Sequence, residues 1–132
     1  MRAHVRTRDG VYGVDLETED LLGLEPGVDV PLPGRGEVAL PLVVASAASG
    51  STVVAVLERR PPLAVSHDAG VTWHEAGGGL PAGRAVAVSP DDPDLVLYAG
   101  RNRLFLSRDG ARFWSGLALE LPEIEAVAFA TP

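Results

Sequence analysis

Ser66-His67-Asp68-Ala69-Gly70-Val71-Thr72-Trp73 returns 41 residues later (107 against 66) as Ser107-Arg108-Asp109-Gly110-Ala111-Arg112-Phe113-Trp114. A hydroxyl and a carboxylate two residues apart, ahead of a small residue, are turn chemistry, because they satisfy backbone amides that a tight turn leaves free. Asp68 is expected to accept hydrogen bonds from turn amides, Ser66 to tie the incoming strand to the turn, and Gly70 to take a positive φ at no steric cost. Trp73 then packs inward; an indole buries roughly 150–250 Å², and its loss costs about 3–5 kcal/mol. The second copy has Ala111 at the glycine position and Phe113 at the threonine position. Gly110, one place earlier, is left to supply the left-handed residue, and Asp109-Gly110 is by itself a hairpin signal. Ser66, Asp68, Gly70, Thr72 and Trp73, and with them Ser107, Asp109, Gly110 and Trp114, are therefore read as structural.

A period near 40 residues is about the length of one four-stranded blade of a β-propeller. Carried outward, the same offset matches Gly83 to Pro90 with Ile124 to Thr131, and their upstream counterpart is Leu42 to Ala47. Second apolar runs follow at Thr52 to Leu57 and Leu95 to Tyr98, and third runs at Leu63 to Val65 and Leu104 to Leu106 lead into the two octapeptides. All are short, rich in β-branched residues and bounded by Gly, Pro, Asn or Asp, which predicts strands. Only Leu16 to Leu24 competes as an amphipathic helix.

The chain thus reads as one all-β domain over 1–132, made of about three four-stranded antiparallel sheets. One blade covers 41–79 and another 80–121. An incomplete N-terminal blade over 1–40 is finished by a strand over 123–132, so that neither end leaves an open edge. In that blade Val5-Arg6-Thr7-Arg8-Asp9-Gly10 resembles the approach to a third turn motif, with strands expected at Val11 to Asp15 and Val28 to Leu32 around a loop at Glu17 to Gly27. Three blades do not close a ring, since propellers typically use four to eight; a symmetric dimer making a six-bladed ring is expected.

The octapeptides resemble the Asp-box, or bacterial neuraminidase repeat, of sialidases, sortilin-like receptors and photosystem II assembly factors. The resemblance implies a propeller in which the box staples the blade periphery, away from the ligand face. It also sets an enzymatic alternative, a carbohydrate-binding or sialidase-like glycoside hydrolase. Sialidases use an arginine triad, a Tyr–Glu nucleophilic pair and an acidic general acid. Of the two tyrosines here, Tyr98 lies in an alternating apolar strand and Tyr12 beside Gly13, and neither stands in a recognisable pairing with a Glu. The favoured reading is a non-catalytic propeller scaffold or protein-interaction module that self-assembles into a ring.

Composition sets further bounds. A hydrophobic share of 46% against 22% charged is enough for a real core. The net charge of −7 argues against general nucleic-acid binding, which needs excess cations. No secretory leader and no run of 18 apolar residues is evident, so the expectation is a cytoplasmic protein without membrane contact. There is no Cys, hence no disulfide or thiolate chemistry. All eleven basic residues are Arg, in keeping with a bacterial, GC-rich source. Charge is uneven along the chain: six acids and no base lie between Val14 and Val30, whereas five arginines lie between Arg84 and Arg112. Such opposition is the pattern of a homodimer or an ordered partner contact, although solvated loops with no partner account for it more simply.

Loops between the second and third strands of propeller blades commonly open on one rim. The alignment places Arg59 and Arg60 in that loop of one blade, and Arg101 and Arg103 in that of the next. Together they form a candidate site for an acidic protein or an anionic ligand, because a guanidinium fork matches two oxygens. The competing reading pairs them with surface neighbours such as Glu58 and Asp94, at little energetic gain. His67 and His74 match no metal-ligand spacing, and Ser89-Pro90-Asp91-Asp92-Pro93-Asp94 lacks the glycine and distal Glu of a calcium loop. Gly77-Gly78-Gly79 precedes no helix, as a phosphate-cradling loop would. No metal and no cofactor is therefore expected.

Overall fold

The computed structural model describes residues 1–130; among them no helix is long and apolar enough to cross a membrane. Residues 131 and 132 of the expected terminal strand lie outside the described residues. Among the described residues twelve strands form: β1 (Arg2–Thr7), β2 (Gly10–Asp15), β3 (Asp20–Leu24), β4 (Val43–Ser49), β5 (Thr52–Leu57), β6 (Leu63–Ser66), β7 (His74–Ala76), β8 (Ala85–Val88), β9 (Val96–Ala99), β10 (Leu104–Ser107), β11 (Ser115–Gly116) and β12 (Ile124–Phe129). They make three four-stranded sheets, ordered β12-β1-β2-β3, β4-β5-β6-β7 and β8-β9-β10-β11, and every pairing is antiparallel. The fold is all-β, with blade-like sheets.

Apolar patterning explains how the sheets stack. β8 and β9 are buried at every position because the β8–β11 sheet is covered on both faces. Ala85, Ala87, Leu97, Leu104 and Leu106 pack against Ala3, Val5, Val14, Ile124 and Val127 of the β12-β1-β2-β3 sheet. On the opposite face Val86, Val88, Val96 and Tyr98 meet Ala45, Val54, Val56, Leu63 and Val65 of the β4–β7 sheet. β1 instead alternates, with Ala3, Val5 and Thr7 inward and Arg2, His4 and Arg6 outward, as expected of a sheet with one face off the core. The first strands of the three sheets gather together: β4 and β12 both contact β8, whereas among the described residues no strand of the β12-β1-β2-β3 sheet contacts one of the β4–β7 sheet. The stack is an open arc with the β8–β11 sheet in the middle.

β12 pairs with β1 from Ala3↔Phe129 to Thr7↔Ile124, so the two ends of the chain share a sheet. The remaining strand of that sheet departs from the expectation. The anticipated loop Glu17 to Gly27 contains β3, paired through Tyr12↔Leu24 and Val14↔Leu21, and Val28 to Leu32 is not a strand. Leu21, Leu22 and Leu24 are 45%, 47% and 53% exposed, because β3 is an outer edge strand. Their periodicity therefore reports no buried face, and Glu19, at φ 62, interrupts any helix there. The 28–32 stretch instead crosses the outward face of this sheet: Val30 is buried, and its carbonyl accepts from the Arg6 guanidinium at 3.1 Å.

From there the connection reaches the free flank of the β4–β7 sheet. Ser46 holds it through its amide to the Gly34 carbonyl (2.9 Å) and its hydroxyl to the Arg35 carbonyl (2.8 Å). Arg35 donates to the Val38 and Leu40 carbonyls, and both residues pack with Val43, Ala55, Leu57 and Trp73. One strap thus covers part of both outer flanks of the arc.

Candidate functional site

The two octapeptides fold alike, each between the third and fourth strands of its sheet. Ser66 Oγ donates to Asp68 (2.7 Å) and accepts from the Gly70 amide (2.8 Å); Ser107 Oγ donates to Asp109 (2.9 Å) and accepts from the Ala111 amide (2.9 Å). Asp68 accepts from the Thr72 amide at 2.8 Å, and Asp109 from the Phe113 amide at 3.0 Å. Each indole N–H then donates back across its turn, Trp73 to the Gly70 carbonyl and Trp114 to that of Ala111. The turn also docks on the hairpin between the first two strands, through Ala69 N–H to Ser51 O (2.9 Å) and Gly110 N–H to Asp94 O (3.0 Å).

Gly70 (φ 91) and Gly110 (φ 73) take the left-handed conformation expected of them, and each turn adds a second such residue in succession, Ala69 (φ 59) before Gly70 and Ala111 (φ 74) after Gly110. Glycine serves either position, and an alanine is held at the other.

Thr72 separates the two carboxylates chemically. Its hydroxyl donates to Asp68 and, with its amide and the Ser66 hydroxyl, lowers the Asp68 pKa to about 2. Asp109 is lowered chiefly by the Phe113 amide, with no hydroxyl at that position. The third turn motif anticipated at Thr7 to Gly10 belongs to a different hairpin: Thr7 and Gly10 close β1 onto β2, the second and third strands of their sheet. At the place equivalent to the octapeptides stands Asp15, whose carboxylate accepts from the Glu17 and Thr18 amides.

The opposite rim carries the arginines. In an antiparallel meander the turn between second and third strands and the connection to the next sheet emerge at the same end. Arg59 and Arg60 after β5, Arg84 before β8 and Arg101 after β9 accordingly border one groove of about 480 Å³ between the β4–β7 and β8–β11 sheets. Arg103 lies elsewhere, donating to the Leu117 carbonyl at 3.0 Å beside β11. Arg84 was not singled out by sequence; the signal lay in the rule just stated, since a connection between sheets opens on that rim as surely as an internal loop.

Ion pairs hold part of this cluster. Arg59 meets Glu75 at 2.7 Å, and Glu123 takes both Arg84 (2.9 Å) and Arg101 (3.8 Å). Arg60 has no carboxylate within 4.0 Å among the described residues. Beneath the groove Tyr98 is fully buried, and its hydroxyl donates to the Pro81 carbonyl at 2.7 Å. Burial pushes the Tyr98 phenol up to about 12, against the opposing influence of the Arg60 charge.

Other flagged residues have local roles. His67 and His74 stack at 5.5 Å, and His67 Nδ1 lies 3.3 Å from the Thr52 hydroxyl. Asp92 accepts from the Asp94 amide inside its own turn. Tyr12 packs against the core between the β12-β1-β2-β3 and β8–β11 sheets. Among the described residues no three metal-ligating side chains converge. The chain matches no protein-family model and no curated protein.

Proposed function

We propose that this chain is a non-catalytic Asp-box propeller module that presents binding surfaces and joins a second copy to complete a ring. The open arc carries the reading: among the described residues the two outer sheets touch the middle one and not each other. A two-fold partner would set the polar flank bearing Arg2, His4 and Arg6 beside the other copy's β4–β7 flank. The strap over 25–42 already lies on both kinds of flank, through Val30 on one and Val38 and Leu40 on the other. Exchanging it between subunits would keep its contacts while closing the ring.

The state of the tyrosines supports the absence of catalysis. Tyr98 is buried, hydrogen-bonded and hard to ionise, and Tyr12 is committed to packing, so neither is placed as a nucleophile. Light scattering coupled to size exclusion tests the assembly: twice the chain mass is expected at tens of micromolar. A folded species of single-chain mass at about 100 μM would overturn it. Hydrolysis of an aryl sialoside would overturn the non-catalytic part.

A further inference from the structure

We infer that the arginine groove docks an acidic peptide segment of a partner protein. The inference rests on the reading of the chain as a binding module and is independent of its assembly state. At the border of the groove Glu123, carried on the connection into β12, pairs with both Arg84 (2.9 Å) and Arg101 (3.8 Å), and Glu58 is the one carboxylate among the lining residues. Two of the bordering arginines thus already take a carboxylate presented by a peptide backbone. Capacity remains for more, because Arg101 is 81% exposed and that long contact is its only ion pair among the described residues, while Arg60, across the groove, pairs with no carboxylate among them. Guanidiniums on both walls suit successive carboxylates along an extended chain.

The floor is apolar and firmly built. Leu57, Leu80 and Pro62 line it with Gly83, whose backbone rests on the Tyr98 ring. Such a base lowers the local dielectric and strengthens charge pairing above it. The acidic stretch of this chain is a poor occupant, since four of its six acids, Asp15, Glu17, Glu19 and Glu25, are engaged elsewhere. Asp15 holds its own turn, Glu19 accepts from the Ala118 amide at 2.7 Å, and Glu25 pairs with Arg2 and His4. Nucleic acid is disfavoured by the net charge of −7, which repels a polyphosphate while leaving a local cationic groove open to a short acidic segment.

Fluorescence anisotropy with a labelled decapeptide of alternating Glu and Gly tests the inference, with the Gln/Gly peptide as control. Binding of the Glu peptide alone is expected, weakening about tenfold between 50 and 200 mM salt. Arg60→Gln combined with Arg101→Gln should weaken it by at least about tenfold, while Arg103→Gln, outside the groove, changes it less than about twofold. All three arginines are exposed, and unchanged thermal midpoints would confirm folding. Equal binding of the Gln peptide, equal loss in Arg103→Gln, or tighter binding of inorganic phosphate or single-stranded DNA than of the Glu peptide would overturn the inference. Light scattering on the same samples reports assembly separately, so a monomer that binds the peptide leaves this inference standing.

Discussion

Gly83 lies so close against Tyr98 that a β-carbon at position 83 would come within 2.1 Å of the phenol hydroxyl and of the ring carbon bearing it. The ring has nowhere to go, being fully buried between two sheets with its hydroxyl bound to the Pro81 carbonyl. Gly83→Ala is therefore expected to destabilise the protein by about 1–3 kcal/mol through overpacking, read as a lower urea midpoint. Tyr98→Phe, which removes only the hydrogen bond, should cost about 1 kcal/mol.

The same tyrosine makes stability depend on alkaline pH. Its folded pKa is raised above the unfolded value, so its contribution is complete below pH 10 and is lost as pH rises toward about 12. Spectrophotometric titration at 295 nm, taken as the difference between the protein and its Tyr98→Phe variant, should show Tyr98 ionising toward about 12 in the folded protein. Ionisation of Tyr98 at its ordinary value of 10.0 would contradict the burial argument.

At the acid end the sign reverses. Asp68 is depressed to about 2 from 3.8, so its contribution is present above pH 4 and fades as pH falls through 2. Thr72→Val removes the hydroxyl that does most to lower it. Carboxyl NMR titration should then find the Asp68 pKa moved upward while that of Asp109 stays in place.

The paired left-handed residues give a contrasting set of variants. Ala69 is exposed, and Ala69→Gly should stabilise by about 1 kcal/mol by relieving a conformation unfavourable to a β-carbon. Ala111→Gly relieves the same strain but removes a methyl buried at 1% exposure, worth about 0.8 kcal/mol, so it should come out near neutral. Thermal midpoints of the two variants measured side by side decide this.

Truncation before Glu123 should abolish cooperative unfolding. It bares the edge of β1 and removes Ile124 and Val127, both buried, from the contact between the β12-β1-β2-β3 and β8–β11 sheets. Circular dichroism should show a broad, weak transition; a sharp transition at the original midpoint would show that β12 is dispensable.

Much of the architecture was legible because the signals are local. Turn chemistry around Asp68 and Asp109 needs only residues four apart, and the apolar runs of β5, β8 and β9 carry strand character within themselves. β3 was misread for the complementary reason. An edge strand buries little, so Leu21, Leu22 and Leu24 obey no periodicity that a core would enforce. Val28 to Leu32 looked like a strand by composition, yet Pro31 removes a donor, and Val30 finds its burial against another sheet.

The arginine groove divides along the same line. Arg59, Arg60 and Arg101 fall in turns that the repeat period locates. The inclusion of Arg84, the departure of Arg103 and the pairing of Glu123 with two guanidiniums depend on how neighbouring sheets are brought together.

From the sequence alone came the all-β class, the four-stranded repeat and the two stapled hairpins, since hydrogen bonding within a turn and alternation along a strand act over a few residues. Which flanks are covered, which end of the stack lies open and which charges share a groove were decided by tertiary structure. Those outcomes rest on burying faces from segments as far apart as Ala3 and Phe129, a choice that no short stretch of chain encodes.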